Sequence, residues 1–131
     1  MSRKLKALIV DDELDAVEFI NSIIAEYCPL LDVVGRAYNV VQAAEAITRT
    51  RPDLLFLDVE MPNGTGFDLL AQFPDKDFDV IFITAFNHYA IKAIRFSAID
   101  YILKPINIAE LIDAVGKVLK KRQERSSKGN E

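Results

Sequence analysis

Short runs of consecutive apolar residues alternate along the chain with longer segments in which apolar residues recur every three or four positions. Unbroken runs are typical of strands covered on both faces of a parallel sheet, and the longer spacing is typical of helices with one apolar face. The predicted strands are residues 5–10, 32–38, 54–57, 80–84 and 98–103, and the predicted helices are residues 14–27, 40–50, 66–73, 88–95 and 108–123. This alternation predicts an α/β domain with helices on both faces of a parallel sheet.

The third predicted strand is the most apolar, with Leu-Leu-Phe-Leu at residues 54–57, and it runs directly into Asp58. Asp58 therefore lies at the carboxyl edge of the sheet, where ligands bind in open α/β sheets. The first strand likewise runs into two acids, Asp11 and Asp12. In the flavodoxin-like, doubly wound strand order 2-1-3-4-5, the commonest solution at this size, strands one and three are neighbours. The three carboxylates are therefore expected to converge on one crevice.

Asparagines are predicted to cap three helices, because a short polar side chain can accept a hydrogen bond from the first turn. They are Asn39, Asn87 and Asn107, and the first and last are followed three residues later by Gln42 and Glu110. The helix after Asn87 has a thin apolar face. The polar residues 125–131 are interpreted as a tail or a truncated linker, and residues 1–124 as a single domain.

Charge and composition narrow the class of partner. The chain carries 16 Lys and Arg against 20 Asp and Glu, a net charge of −4, which argues against nucleic-acid binding by this domain itself. A basic group at residues 117, 120, 121, 122 and 125 is interpreted as cations favoured at the end of a helix. Proteins are the expected partners.

The cellular compartment follows from what the sequence lacks. The one cysteine, Cys28, permits no disulfide framework and is interpreted as a small apolar filler. No run approaches 18 apolar residues, and the N-terminus has no apolar segment of the signal-peptide kind, so no membrane association is expected. We expect a protein of the reducing cytoplasm.

The polar residues at the strand ends together suit phosphoryl transfer. Three neighbouring carboxylates repel one another unless a cation is present, and oxygen-only ligands suit Mg²⁺. Thr84 at the end of the fourth strand offers a hydroxyl, Ala85 an unobstructed backbone N–H, and Lys104 at the end of the fifth strand an ammonium. A nucleophile, a metal and donors for phosphoryl oxygens are the parts that this reaction requires.

These residues resemble a known family, the CheY-like receiver domains of bacterial two-component response regulators. The resemblance covers residues 5 to about 122 and rests on four motifs. They are Asp11-Asp12, Leu57-Asp58-Val59-Glu60-Met61-Pro62 with Gly64 and Gly66, Thr84-Ala85, and Tyr101 before Lys104-Pro105. The segments at residues 83–93 and 98–105 further resemble the LytR/AlgR branch, whose members usually carry a LytTR DNA-binding domain after the receiver.

The resemblance implies a role for each motif position. Asp58 would accept the phosphoryl group and, with Asp11, Asp12 and the backbone carbonyl of Glu60, would bind Mg²⁺. The phosphoryl group would contact Thr84, Ala85 and Lys104. Tyr101 would turn inward when Thr84 moves, and Lys104-Pro105 would be a cis peptide bond. No position of this set departs from the family pattern.

The function implied is that of a signalling domain that takes part in its own phosphotransfer and dephosphorylation, rather than an enzyme. A sensor histidine kinase would phosphorylate Asp58, and the surface of the fourth helix, fifth strand and fifth helix would switch, with homodimerisation through that surface as one outcome. Output would be transcription through a LytTR-type domain. Residues 125–131 cannot contain such a domain, so the chain is either an excised receiver or a single-domain regulator.

Two residues are expected to flank the path of a water molecule that hydrolyses the phosphorylated Asp58. Phe86 has no polar atom and is predicted to cover the crevice. Glu60 could orient a water or reach toward Lys104, so its effect is expected to be smaller and of either sign. His88, the only histidine, is interpreted as a surface residue.

Three alternatives remain open. A stand-alone CheY-like regulator would act through protein contacts alone. A Mg²⁺-dependent aspartyl-phosphate phosphatase of the haloacid dehalogenase type would share Leu57-Asp58-Val59-Glu60, but the second aspartate and the following Gly-Thr of that fingerprint are missing. An interaction module that had lost the chemistry would show a broken acid pair, phosphoacceptor or lysine, and none of these is broken.

Overall fold

A computed structural model describes residues 4–129 of the chain, with side chains described for residues 4–125. The elements in chain order are β1 (Leu5–Val10), α1 (Leu14–Tyr27), β2 (Leu31–Ala37), α2 (Val40–Thr50), β3 (Leu54–Leu57), β4 (Glu60–Met61), β5 (Gly64–Thr65), α3 (Gly66–Ala71), β6 (Asp79–Thr84), α4 (Ala90–Arg95), β7 (Asp100–Leu103) and α5 (Ile108–Gly129). The short strands β4 and β5 form a separate antiparallel hairpin. The fourth and fifth strands predicted from the sequence are therefore β6 and β7.

The main sheet has five parallel strands in the order β2-β1-β3-β6-β7. This order confirms the predicted doubly wound, flavodoxin-like fold. Alternate residues of the central strands enter two apolar layers, because successive strand side chains point to opposite faces. Leu8, Leu55 and Val80 pack with α2, α3 and α4 on one face, and Ile9 and Phe56 pack with α1 and α5 on the other. The central strands are consequently buried on both sides.

The register of the sheet brings four strand ends to one edge. Val10 pairs with Leu57, Leu57 pairs with Phe82, and Thr84 pairs with Leu103. The residues that follow these ends in the chain therefore emerge beside one another. The fold places the predicted site residues at this edge.

The segment between β6 and α4 differs from the prediction. The helix begins at Ala90 rather than at His88, its N-cap residue is Tyr89, and no side chain caps it. The prediction that Asn87 caps this helix is therefore wrong, whereas Asn39 and Asn107 accept the expected hydrogen bonds from the backbone of Gln42 and Glu110. Residues 88 and 89, predicted as the first helical residues, form a turn that precedes the helix.

The last helix is longer than the sequence pattern indicates, since it continues from the expected end near residue 123 to Gly129. Lys and Arg are good helix formers, and tertiary contacts hold this part of the helix to the sheet. Arg122 donates to the carboxylate of Asp79 and to the carbonyls of Asp53 and Asp77, and Lys121 donates to Asp79. Two members of the basic group, Lys121 and Arg122, thus have intramolecular partners. Asn130 and Glu131, part of the predicted tail, lie outside the described residues.

The boundary of the domain at residue 124 stays a prediction. Cys28 is buried, in accord with its predicted role as a filler. Within residues 4–129 there is no helix whose length and apolar content would suffice to cross a bilayer.

Candidate functional site

Asp11 and Asp58 lie immediately after β1 and β3, and the sheet ladder fixes both backbones. The N–H of Asp11 donates to the carbonyl of Ala37, and the N–H of Asp58 donates to the carbonyl of Val10. Their side chains are almost fully enclosed, with 1% and 5% of the residue surface exposed. Two adjacent strands therefore deliver two buried carboxyl groups to one crevice, as the strand order predicted.

Asp12 completes an acidic cluster at this edge. One carboxylate oxygen from each of Asp11, Asp12 and Asp58 lies within 4.8 Å of the others, and Asp12 is the exposed member. Asp11 Oδ2 is buried, and the Lys104 ammonium lies 2.9 Å from it. A cluster of three carboxylate oxygens, two of them on buried residues, fits a hard divalent cation. The residues present therefore could hold a metal ion.

The electrostatics of the acidic cluster also favour a bound cation. Burial raises the pKa of the Asp11 carboxyl to about 6, and the nearby Asp58 carboxylate acts in the same direction. The backbone N–H of Glu13, which donates to Asp11 Oδ1 at 2.9 Å, and the Lys104 ammonium both oppose this rise. A carboxyl with a raised pKa is one whose charged form needs a cation.

Lys104 supplies the positive charge that the described residues contribute to this crevice. Its ammonium lies 2.9 Å from Asp11 Oδ2, 3.2 Å from Asp58 Oδ2 and 2.5 Å from Glu13 Oε1. Burial alone would lower the pKa of this ammonium, but the three carboxylates outweigh burial and raise the pKa above its usual range. Lys104 is thus held as a cation next to the predicted phosphoacceptor, Asp58.

Glu60 does not reach toward Lys104, which was one of the two expectations for its side chain. Its Oε2 instead accepts a hydrogen bond of 2.8 Å from the hydroxyl of Tyr89, which is 29 residues away in sequence. This bond raises the pKa of the Tyr89 hydroxyl, because the carboxylate favours the protonated phenol. The glutamate that lies beside Lys104 is Glu13.

Thr84 and Tyr101 both contact the loop that follows β6. Thr84 is fully buried, and its Oγ1 accepts a hydrogen bond of 3.4 Å from the backbone N–H of Phe86. The Tyr101 ring is half-buried against Phe82, and its hydroxyl donates to the backbone carbonyl of Phe86. Ala85, the residue between Thr84 and Phe86, is exposed. The two predicted switch residues are therefore linked through one short loop.

Two backbone features allow the crevice to form. Gly66 begins α3, and a Cβ atom on it would lie 2.6 Å from the backbone oxygen of Asp58, so α3 can approach the site only with glycine there. The Lys104-Pro105 peptide bond is cis, as predicted. Both features lie beside residues of the acidic crevice.

Sequence reasoning missed two contributors to this site. Glu13 is the N-cap residue of α1, and its side chain binds Lys104 instead of capping the helix. Its place in the run Asp11-Asp12-Glu13 is the signal that could have found it. Tyr89 lies in a segment predicted to be helical, and no spacing in the sequence indicates its bond to Glu60.

Several known proteins resemble the chain in sequence and in structure. The transcriptional regulatory protein BtsR of Escherichia coli strain K12 is 40% identical over 123 residues, which cover 93% of this chain and 50% of that protein. An uncharacterized response regulatory protein of Vibrio cholerae serotype O1 is 35% identical over 120 residues, covering 91% of this chain and 50% of that protein. The chain thus spans about half the length of the curated relatives that it matches.

The fold is also similar to solved structures of response regulators. The REC domain of AraT, a response regulator from Geobacillus stearothermophilus, superposes with a TM-score of 0.84 at 34% identity, covering 93% of this chain and 98% of that one. The family model described as the response regulator receiver domain matches residues 7–116, which is most of the chain and contains every residue of the acidic crevice. The chain therefore belongs to the response regulator receiver domains of two-component systems.

Proposed function

We propose that Asp58 accepts a phosphoryl group from the phosphohistidine of a sensor histidine kinase in a Mg²⁺-dependent reaction. The observation that carries this proposal is the convergence of Asp11, Asp12 and Asp58 on one crevice, with the Lys104 ammonium 3.2 Å from Asp58 Oδ2. Receiver domains are signalling domains, and phosphorylation of Asp58 would be the signal in this one.

The chemistry proposed for Asp58 is a displacement at phosphorus. A carboxylate oxygen of Asp58 forms a bond to phosphorus, the phosphorus–nitrogen bond to the kinase imidazole breaks, and its electron pair returns to the imidazole nitrogen. The Val59 N–H donates to Asp58 Oδ1 at 2.7 Å and fixes the orientation of the nucleophile. Lys104, already charged and adjacent, would pair with the phosphoryl oxygens.

Asp11, Asp12, Asp58 and the backbone carbonyl of Glu60 are the ligands that we propose for Mg²⁺. The ion, when bound, supplies positive charge that offsets the repulsion between the acids and the incoming phosphoryl group. The burial of Asp11 and Asp58 supports this assignment, because two buried carboxylates share the charge of one described ammonium, that of Lys104.

We propose that phosphorylation is read at the surface formed by α4, β7 and α5. The Thr84 hydroxyl and the Ala85 N–H would bind phosphoryl oxygens, and movement of Thr84 would disturb the loop to which Tyr101 donates its hydrogen bond. Ile91 and Ile94 are about three-quarters exposed on α4. Exposed apolar side chains on this surface support protein contacts there, including a homodimer.

The output that we propose is transcription, with the chain acting as the receiver of a LytR/AlgR-type regulator. BtsR is named a transcriptional regulatory protein and is about twice as long as the matched segment. A LytTR-type DNA-binding domain in the remainder of such a protein would provide the DNA contact. The acidic receiver itself would not bind DNA.

The proposal is tested by intact-mass measurement after treatment with acetyl phosphate. One added phosphoryl group is expected in the parent with Mg²⁺, and none with a chelator or in Asp58→Asn. Asp32→Asn, which removes an exposed acid on β2, is the matched control and should be labelled like the parent. Labelling of Asp58→Asn equal to that of the parent would overturn the assignment.

A further inference from the structure

The loop at residues 85–89 follows β6 at the sheet edge that carries the acidic crevice, and its described hydrogen bonds join it to β6, to β7 and to the segment after Asp58. The Phe86 N–H donates to Thr84, and the Phe86 carbonyl accepts from Tyr101, so β6 and β7 hold its first half. The Tyr89 hydroxyl donates at 2.8 Å to Oε2 of Glu60, two residues after Asp58. The Tyr89 bond therefore connects this loop to the segment that carries the phosphoacceptor.

Aromatic packing fixes the position of the Tyr89 ring independently of this bond. The ring centroid lies 4.1 Å from that of His88, 5.8 Å from that of Phe67 and 6.3 Å from that of Phe86. Phe67 is buried in the core layer beneath α4, whereas Phe86 is 39% exposed. Because the ring already rests on the core, its hydroxyl can hold Glu60 at little further cost in side-chain entropy.

We propose that Tyr89 is a positioning residue which, through its hydrogen bond to Glu60, holds Phe86 over the phosphoacceptor crevice and thereby sets the lifetime of the phosphorylated state. The inference rests on the proposed function, since it concerns phosphorylated Asp58. Glu60 acts here as the acceptor that ties the loop down. This role gives its side chain a definite effect on hydrolysis, which the sequence alone left open.

The hydrolysis that this arrangement restrains consumes one water molecule. The water oxygen forms a bond to phosphorus, the phosphorus–oxygen bond to Asp58 breaks, and the electron pair returns to the Asp58 carboxylate. The water protons leave with inorganic phosphate or pass to solvent. A loop released from Glu60 opens more often, and water reaches phosphorus in a larger fraction of molecules.

The first test measures phosphate release from phosphorylated protein in excess Mg²⁺. Tyr89→Phe keeps the ring and removes only the hydroxyl, and we expect it to speed release about threefold. Glu60→Ala should speed release by a similar factor, and the double variant should be no faster than either single variant, because all three lose the same bond. Tyr27→Phe, which removes the hydroxyl of a tyrosine on α1, is the matched control.

A second readout does not require phosphorylation. In the unphosphorylated, metal-free protein, backbone amides at residues 86–89 should exchange with deuterium faster in Tyr89→Phe and in Glu60→Ala than in the parent. Amides of β1 and β3 should exchange equally in all three proteins. A general loss of folding would accelerate exchange everywhere, so this pattern separates loop release from destabilisation.

The outcomes distinguish this inference from the proposed function. If the parent takes up no phosphoryl group on Asp58, the proposed function fails, while loop exchange still reports on the Tyr89 bond. If the parent is phosphorylated but Tyr89→Phe releases phosphate at the parent rate, the positioning role is overturned. Additive effects in the double variant would also overturn it, since Tyr89 would then act without Glu60.

Discussion

The Lys104 ammonium lies 3.2 Å from Asp58 Oδ2, although the two residues are 46 positions apart in the sequence. The same ammonium contacts Asp11 and Glu13, so one cation faces three carboxylates at the carboxyl edge of the sheet. Removal of this cation would leave Asp11 and Asp58 buried without their described counter-charge. Lys104 therefore should stabilise the fold as well as contact the phosphoryl group.

Lys104→Met should lower the free energy of unfolding by about 2 kcal/mol in metal-free buffer, because breaking a mostly buried pair leaves uncompensated charge. Added Mg²⁺ should recover more stability in this variant than in the parent. Urea unfolding with and without Mg²⁺ measures both effects. Lys117→Met is the matched control, since its ammonium pairs with Asp100 in a largely exposed bridge, whose loss should be much less destabilising. Equal losses in the two variants would contradict the account.

Phe86→Ala should shorten the lifetime of the phosphorylated state about fivefold, which corresponds to roughly 1 kcal/mol in the barrier to hydrolysis. We expect the ring to cover the crevice, so that alanine would admit water. Phosphate release in excess Mg²⁺ is the measurement. Phe19→Ala removes a similarly exposed ring from α1 and should leave the lifetime unchanged. A Phe86→Ala lifetime equal to or longer than that of the parent would remove the shielding role.

Thr84→Ala should separate phosphorylation from its readout. We expect the variant to be phosphorylated, yet to show much smaller amide chemical-shift changes at residues 88–119 when a beryllofluoride analogue is added, because the relay from Thr84 to Tyr101 is lost. Thr84→Ser keeps a hydroxyl and should recover most of the changes. Equal changes in Thr84→Ala and the parent would mean that another relay connects Asp58 to α4.

Asp79 should make stability depend on pH in the acid range. Burial by itself would raise the pKa of its carboxyl, but the hydrogen bonds and charges of Lys121 and Arg122 outweigh burial and hold the pKa below its usual range. The stabilisation is therefore present above the unfolded pKa of about 3.9 and is lost as the pH falls through the lower folded pKa.

The matching measurement compares Asp79→Asn with the parent by urea unfolding at several pH values. The variant should be about 2 kcal/mol less stable at pH 7, and the difference should shrink below about pH 4 as the parent carboxylate is protonated. Asp75→Asn, at an exposed loop residue, should differ from the parent by less than about 0.5 kcal/mol at every pH. If the difference in unfolding free energy between Asp79→Asn and the parent does not narrow in acid, the stabilising role of this ion pair is contradicted.

The sequence predicted the fold and the acidic crevice because both follow from strand ends. A buried strand must end at the sheet edge, so Asp11 and Asp58 could be placed together without knowing any side-chain contact. Asn39 was also predictable as a helix cap, since its partner lies three residues away. These features depend on local spacing and on strand order.

Contacts between distant side chains were not predictable in the same way. Asn87 had the same capping chemistry as Asn39, but the residues after Thr84 form a loop that is tied to Glu60 and Tyr101 instead of a helical turn. Reaching toward Lys104 was one of two possibilities for the Glu60 side chain, and the structure shows Glu60 bonded to Tyr89 and Glu13 beside Lys104. Long side chains near a crevice can reach several acceptors, and only the packed structure determines which one they contact.

The phosphoacceptor role of Asp58 is the central claim, and chemical mapping of the acyl phosphate tests it most directly. Phosphorylated parent protein is reduced with borohydride, which converts a phosphorylated aspartate into homoserine, and is then digested and sequenced by mass spectrometry. Asp11 and Asp12 serve as internal controls because they lie in the same crevice. The account predicts homoserine at position 58 and unmodified aspartate at positions 11 and 12; homoserine at either of those two positions, with Asp58 intact, would contradict it.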